Sequence, residues 1–169
     1  RAFSLPGPEV DMAQYSGDVH LCGYGRQSDD LGGPSTSGGR RCGTNLYLPN
    51  FSHSQEWHYL APARYLLCTE ILSAQELGTH PTDLGAPGDS GGPLFIEREG
   101  RAVLIGIAKS VLAVEDENPT AQDLQVMACG FRNKQIFMNK WTSLNSENTE
   151  ARQFLKRAQE LVGIQFPAP

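Results

Sequence analysis

The 169-residue sequence has few cysteines, no long apolar run and no block of positive charge, and each shortage removes a class of protein. Without an unbroken apolar stretch, no membrane-spanning helix is expected. Without a Lys/Arg cluster, and with a net charge of −5, a nucleic-acid partner is not expected either. The four cysteines (Cys22, Cys42, Cys68, Cys129) contain no C-x-x-C pair and fit no zinc knuckle, so neither a metal nor another cofactor is expected. No secretory apolar stretch opens the chain, and Arg1-Ala2-Phe3-Ser4-Leu5-Pro6 reads as the middle of a longer polypeptide.

What is abundant is punctuation. Eighteen glycines and eleven prolines favour strands and turns over a helical bundle, and the length fits one domain that buries about two thirds of its unfolded surface. The cysteines allow three complete pairings, which spacing does not choose between; one or two disulfides in an extracellular setting are the reading adopted. Asn50-Phe51-Ser52 matches the N-glycosylation tripeptide.

Along the chain, residues 1–17 read as an extended connector, and 18–25 alternate polar and apolar side chains as a half-buried strand does. His20 falls on the polar phase of that strand. Residues 26–43 form a long loop ending in Arg40 and Arg41, read as solvated charges with a cleavage or docking site as the alternative. Thr44-Asn45-Leu46-Tyr47-Leu48 is a short strand closed by Pro49, and 50–56 is polar loop. Residues 57–68 supply core strands on both sides of Pro62, with His53 and His58 as flanking surface residues lacking an acidic partner at a telling spacing. Residues 70–82 are loop with one helical turn around 74–77.

Leu94-Phe95-Ile96 and the run 102–107 make a hairpin about the four-residue turn Glu97-Arg98-Glu99-Gly100. An acidic loop over 115–123 and a last strand over 124–131 follow. Asn148 is the expected N-cap of a terminal helix whose apolar face, Ala151, Phe154, Leu155, Ala158, Leu161 and Val162, should pack on its own barrel or else grip another chain. Gly163 should end it.

One stretch spells out chemistry: Gly85-Ala86-Pro87-Gly88-Asp89-Ser90-Gly91-Gly92-Pro93. Small and ring-constrained residues permit tight turns around Ser90 and leave its hydroxyl and neighbouring N–H groups unobstructed, as a nucleophile above an oxyanion site requires. The G-x-S-x-G elbow of α/β-hydrolases is also satisfied, but that elbow needs a helix after the serine and a later histidine. Here Pro93-Leu94-Phe95-Ile96 reads as a strand, and His20, His53, His58 and His80 all precede Ser90, so an esterase of that class is nearly excluded.

Gly88-Asp89-Ser90-Gly91-Gly92-Pro93 resembles the nucleophile loop of the trypsin/chymotrypsin-like serine peptidases. The resemblance implies that Ser90 attacks the scissile carbonyl and that the Ser90 and Gly88 N–H groups form the oxyanion hole. It also implies that Asp89 accepts an ion pair from an N-terminal amine made by proenzyme cleavage. Leu21-Cys22-Gly23-Tyr24-Gly25 is similar to the Gly-Trp-Gly strand that opens the family's second barrel, with Tyr24 in place of tryptophan. Cys68 stands where a cysteine usually precedes the serine loop. Leu104-Ile105-Gly106-Ile107 resembles the strand after the hairpin, residues 135–141 resemble the start of the terminal helix, and Arg40-Arg41-Cys42-Gly43-Thr44-Asn45 is similar to bacterial members.

The match spans 1–145, all of it second-barrel sequence, leaving 146–169 as an extended helix and tail. The fold it implies is all-β, an antiparallel six-stranded Greek-key β-barrel followed by a C-terminal α-helix. Substrate would be held by Asp83, Leu84, Pro87, Lys109, Ser110 and Val111. Leu84 stands six before the serine, where the trypsin branch has an aspartate, and Asp83 is one position out, so an apolar or small side chain is expected at least as readily as a basic one. Lys109-Ser110-Val111 replaces the family's Ser-Trp-Gly segment, which pairs with the substrate backbone, and points to a divergent pocket.

The family's catalytic histidine lies more than a hundred residues before the serine, and only 89 residues precede Ser90 here. The resemblance therefore implies a secreted serine endopeptidase split over two chains, with histidine and aspartate on an N-terminal half outside this sequence and peptide or protein as substrate. The alternative is a non-catalytic binding module that keeps the protease fold.

Overall fold

A computed structural model describes residues 3–7, 9–25, 39–61, 73–115, 135–145 and 147–163. Its strands are β1 (Gly17–Gly23), β2 (Arg41–Tyr47), β3 (Trp57–Leu60), β4 (Pro93–Arg98), β5 (Arg101–Glu115) and β6 (Gln135–Ser143). One-turn helices α1 (Pro49–Ser52) and α2 (Ala74–Leu77) lie between strands, and α3 (Thr149–Val162) follows them. All strand pairs are antiparallel, in the order β2-β1-β4-β5-β6-β3, and the sheet curls into a half-barrel.

Period-two alternation builds the inner face. Val19 and Leu21 of β1, Leu60 of β3, Leu94 and Ile96 of β4, Ile105 of β5 and Trp141 of β6 meet in one buried cluster with Tyr47. The predicted strand at 18–25 and the helical turn at 74–77 are found where expected. The hairpin is also present, but its turn is shorter: Glu97 pairs with Ala102 and Arg98 with Arg101, leaving only Glu99 (φ 51°) and Gly100 (φ 74°) as the link. Two left-handed residues in succession match the right-handed twist of the flanking strands.

Several expectations are corrected. Residues 135–141 are not a helix start but most of β6, whose alternation buries Asn139, Trp141 and Ser143 on one face. Residues 1–17 are more than a connector: Ser4 bridges to Val103 on the edge of β5 that β6 leaves free, and Val10 and Met12 enter the core. Arg41 belongs to a strand, residues 50–52 to α1, and Glu115 ends β5.

His58 is not a surface residue but fully buried, and His53 does have an acidic partner, Glu147, 3.3 Å away. The Asn148 cap and the Gly163 stop of α3 hold, with Asn148 Oδ1 accepting from Ala151 N at 3.1 Å and Gly163 at φ 68°. No residue of α3 is fully buried: Ala151, Leu155 and Ala158 are half-buried, while Phe154, Leu161 and Val162 are 69%, 86% and 66% exposed, so its apolar face packs on the barrel only in part.

Cys22 and Cys42 form a disulfide between register partners of β1 and β2. The expectations for Cys68, Cys129, the segment around Pro62 with Tyr65, Leu66 and Leu67, most of the 26–43 loop, residues 116–123 and the strand at 124–131 lie outside the described residues.

Candidate active site

Ser90 sits at the junction of two consecutive turns just before β4. Asp89 N donates to Ala86 O at 3.0 Å, and Gly92 N donates to Asp89 O at 2.9 Å. Gly88 (φ 101°) and Gly91 (φ 84°) flank the pair in backbone conformations that side chains disfavour, which is why glycines alternate around the serine. The loop is stitched to β5 by Gly91 N to Ala108 O and Ala108 N to Gly92 O, both 2.9 Å. Ser90 is left exposed at the rim.

Neither the Gly88 N–H nor the Ser90 N–H has a hydrogen-bond partner among the described residues. Two unengaged amide donors on either side of Asp89 are free to bind an oxyanion. Asp89 itself turns away from them. Its Oδ1 accepts from Gly25 N at 2.5 Å, tying the loop to the segment after β1, and its Oδ2 accepts from Ala86 N at 2.7 Å, bracing the loop's own turn. A Cβ at Gly23 would collide with that carboxylate, which accounts for the small residue there.

Three hollows surround the loop. One, of about 330 Å³, is lined by Phe3, Tyr24, Arg40, Gly88, Ser90 and Pro93. A second, of about 30 Å³, lies on the other side of Ser90 against Ala108, Lys109, Ser110, Asn139, Lys140 and Trp141. The third, of about 310 Å³, sits behind the loop and contains Asp83, Leu84, Arg41 and the Asp89 wall.

No protein-family model, curated protein or solved structure matches this chain.

The structure thus gathers Ser90, Gly88, Asp89, Lys109 and Ser110 around one place. It puts Asp83 and Leu84 in the cavity behind, where Asp83 Oδ2 accepts from Thr44 N at 3.0 Å, while Pro87 is exposed on the loop. Val111 continues β5, paired with Asn139. Sequence reasoning missed Asn139 and Lys140, and read Arg40 as a solvated loop charge. Asn139 acts as a clamp, its Oδ1 accepting from Gly85 N at 2.5 Å and its Nδ2 donating to Gly85 O at 3.2 Å. The alternation in Gln135-Ile136-Phe137-Met138-Asn139-Lys140-Trp141 was the available signal, since a strand puts Asn139 and Lys140 on opposite faces.

Among the described residues no histidine hydrogen-bonds Ser90. His20 Nδ1 lies 3.1 Å from Thr44 Oγ1, His80 Nδ1 3.6 Å from Asp18, and His53 Nε2 3.3 Å from Glu147. His58 is held by Tyr47 at 2.8 Å and by the Ile105 carbonyl at 3.1 Å. Burial, with a smaller contribution from nearby His53, lowers the His58 pKa to about 3 against the opposing pull of that carbonyl, so its imidazole is neutral.

Proposed function

We propose that this chain is the nucleophile-bearing half of a serine endopeptidase of the trypsin/chymotrypsin-like kind. The observation that carries this reading is the Ser90 loop: an exposed hydroxyl, unengaged N–H groups at Gly88 and Ser90, and an aspartate between them whose carboxylate braces the turn. The strand order also fits a Greek-key barrel, because the edge strands β2 and β3 approach each other across the open side. The Cys22–Cys42 disulfide suits an extracellular setting.

In this reading the base comes from a complementary polypeptide, whose imidazole would enter the hollow beside Phe3, Tyr24 and Arg40. Ser90 Oγ gives its proton to that imidazole as it bonds to the substrate carbonyl carbon, and the carbonyl oxygen becomes an oxyanion held by the two amides. Collapse breaks the C–N bond, the imidazolium protonates the departing amine, and water then hydrolyses the acyl ester. In this reading the cleaved N-terminal amine that the resemblance implies would reach Asp89 from the cavity whose wall it forms.

A fluorophosphonate probe tests the reading. Ser90 should label in the assembled two-chain protein, slowly or not at all in the isolated chain, and never in Ser90→Ala. A complete assembly that resists the probe, together with a Ser90→Ala variant that keeps every biological effect, would replace the peptidase with a binding module.

A further inference from the structure

We propose that the cleft at Ser90 takes an acidic polypeptide segment, with Lys109 and Lys140 holding its carboxylates. That the segment is a substrate rests on the peptidase reading above; its recognition does not.

Charge around Ser90 is lopsided. The two hollows that meet at the serine are lined by three cations, Arg40, Lys109 and Lys140, and by one acid, Asp89. That acid's two oxygens both accept backbone N–H groups of the loop and of Gly25, so three cations face one braced carboxylate. The bias is local, because the whole chain carries a net charge of −5.

The two lysines also share one aromatic neighbour. Lys109 Nζ lies 4.3 Å and Lys140 Nζ 3.9 Å from the centroid of the Trp57 ring, and Lys140 is 5.9 Å from that of Tyr59. Indole attracts each ammonium, but two like charges on one ring repel each other. Among the described residues neither lysine has a carboxylate within ion-pair distance. An anion beside either ammonium supplies the missing partner.

The sheet ties this patch to the nucleophile. Lys109 is the residue skipped where the β5–β6 register shifts between Ala108 and Ser110, and Ala108 exchanges hydrogen bonds with Gly91 and Gly92. A bulge re-aims a side chain and leaves its backbone outside the ladder, so Lys109 stands at the cleft rim. A peptide bearing one or two carboxylates matches two lysines without acidic partners beside the serine, whereas a long polyanion would be repelled by the rest of an acidic chain.

Anisotropy with fluorescein-labelled peptides of alternating Ala-Glu, Ala-Gln and Ala-Lys, titrated with the intact chain, tests the proposal. The Glu peptide should bind about tenfold more tightly than the Gln peptide, and the Lys peptide most weakly. Lys109→Gln and Lys140→Gln should each weaken Glu-peptide binding several-fold, and the double variant should lose the preference. Lys109→Arg with Lys140→Arg should retain it, which separates charge from folding. Raising salt to about 0.5 M should erode the preference, as expected of exposed charge pairs. Equal binding of Glu and Gln peptides, or a preference that survives the double variant, overturns the proposal. So does a single-stranded oligonucleotide that displaces the Glu peptide more effectively than unlabelled Glu peptide does. Fluorophosphonate labelling of the assembled two-chain protein separates the two ideas: labelling without Glu preference sinks only the acidic site, and Glu preference without labelling sinks only the peptidase.

Discussion

Tyr47 donates a 2.8 Å hydrogen bond to Nδ1 of buried His58, and this contact joins β2 to β3, the two strands that end the sheet order. Its direction follows from the other ring nitrogen. Nε2 lies 3.1 Å from the Ile105 carbonyl, which only accepts, so Nε2 carries the proton and Nδ1 must accept from Tyr47. Burial first, and the charge of Glu147 second, push the Tyr47 pKa up, which keeps that phenol a donor. The Tyr47 oxygen lies 3.4 Å from His53 Nδ1, and His53 reaches Glu147, so the chain of contacts runs from core to rim.

Removing the phenol should loosen the closure. Tyr47→Phe keeps the ring packed but leaves the buried His58 Nδ1 unpaired, and is expected to cost about 1–3 kcal/mol. A urea titration reads this as a lower midpoint at unchanged slope; a loss below about 0.5 kcal/mol would show that the contact contributes little.

Acid should destabilise the fold through His58. Its folded pKa, about 3, lies below the unfolded value of 6.5, so the unfolded chain binds a proton that the folded one refuses. This contribution is fully present above pH 6.5 and is lost as pH falls from there towards 3, at up to about 1.4 kcal/mol per pH unit. Denaturation at pH 7, 5.5 and 4.5 should show a slope that flattens in His58→Gln.

Asp89→Ala should weaken both loop and chemistry. Two N–H groups, of Gly25 and Ala86, lose their acceptor, which is worth about 1–3 kcal/mol. Fluorophosphonate labelling of the assembled protein should slow by more than about tenfold as the amide pair loses its alignment, a loss of about 1.4 kcal/mol or more in transition-state stabilisation. Ser90→Ala, at an exposed hydroxyl without a hydrogen bond among the described residues, should change stability by less than about 0.5 kcal/mol.

Reducing the Cys22–Cys42 bond should lower stability by about 3 kcal/mol, because it closes a loop across a sequence separation of 20. Thermal unfolding with and without a phosphine reductant measures it. The Glu-peptide preference should survive reduction, since β5 and β6 carry both lysines and the bond joins β1 to β2.

Features written in neighbouring residues were legible from the chain alone. Alternation over 18–25 marks β1, which ends at Gly23, small residues around Ser90 mark its turns, and Asn148 and Gly163 mark the ends of α3. Each depends on dihedral preference or on hydrogen bonds a few residues apart, which sequence order specifies directly. Partnership at long range was decided by the fold. Only the β1–β2 register selects Cys42 for Cys22 among three pairings, and only the crowding of β3 against Tyr47 and Ile105 makes His58 a buried neutral ring. Likewise Lys109 and Lys140, thirty-one positions apart in the chain, become neighbours on Trp57 because β5, β6 and β3 lie side by side. Local preference carries no information about which distant strand will supply the opposite face, and that pairing sets the charge around the serine.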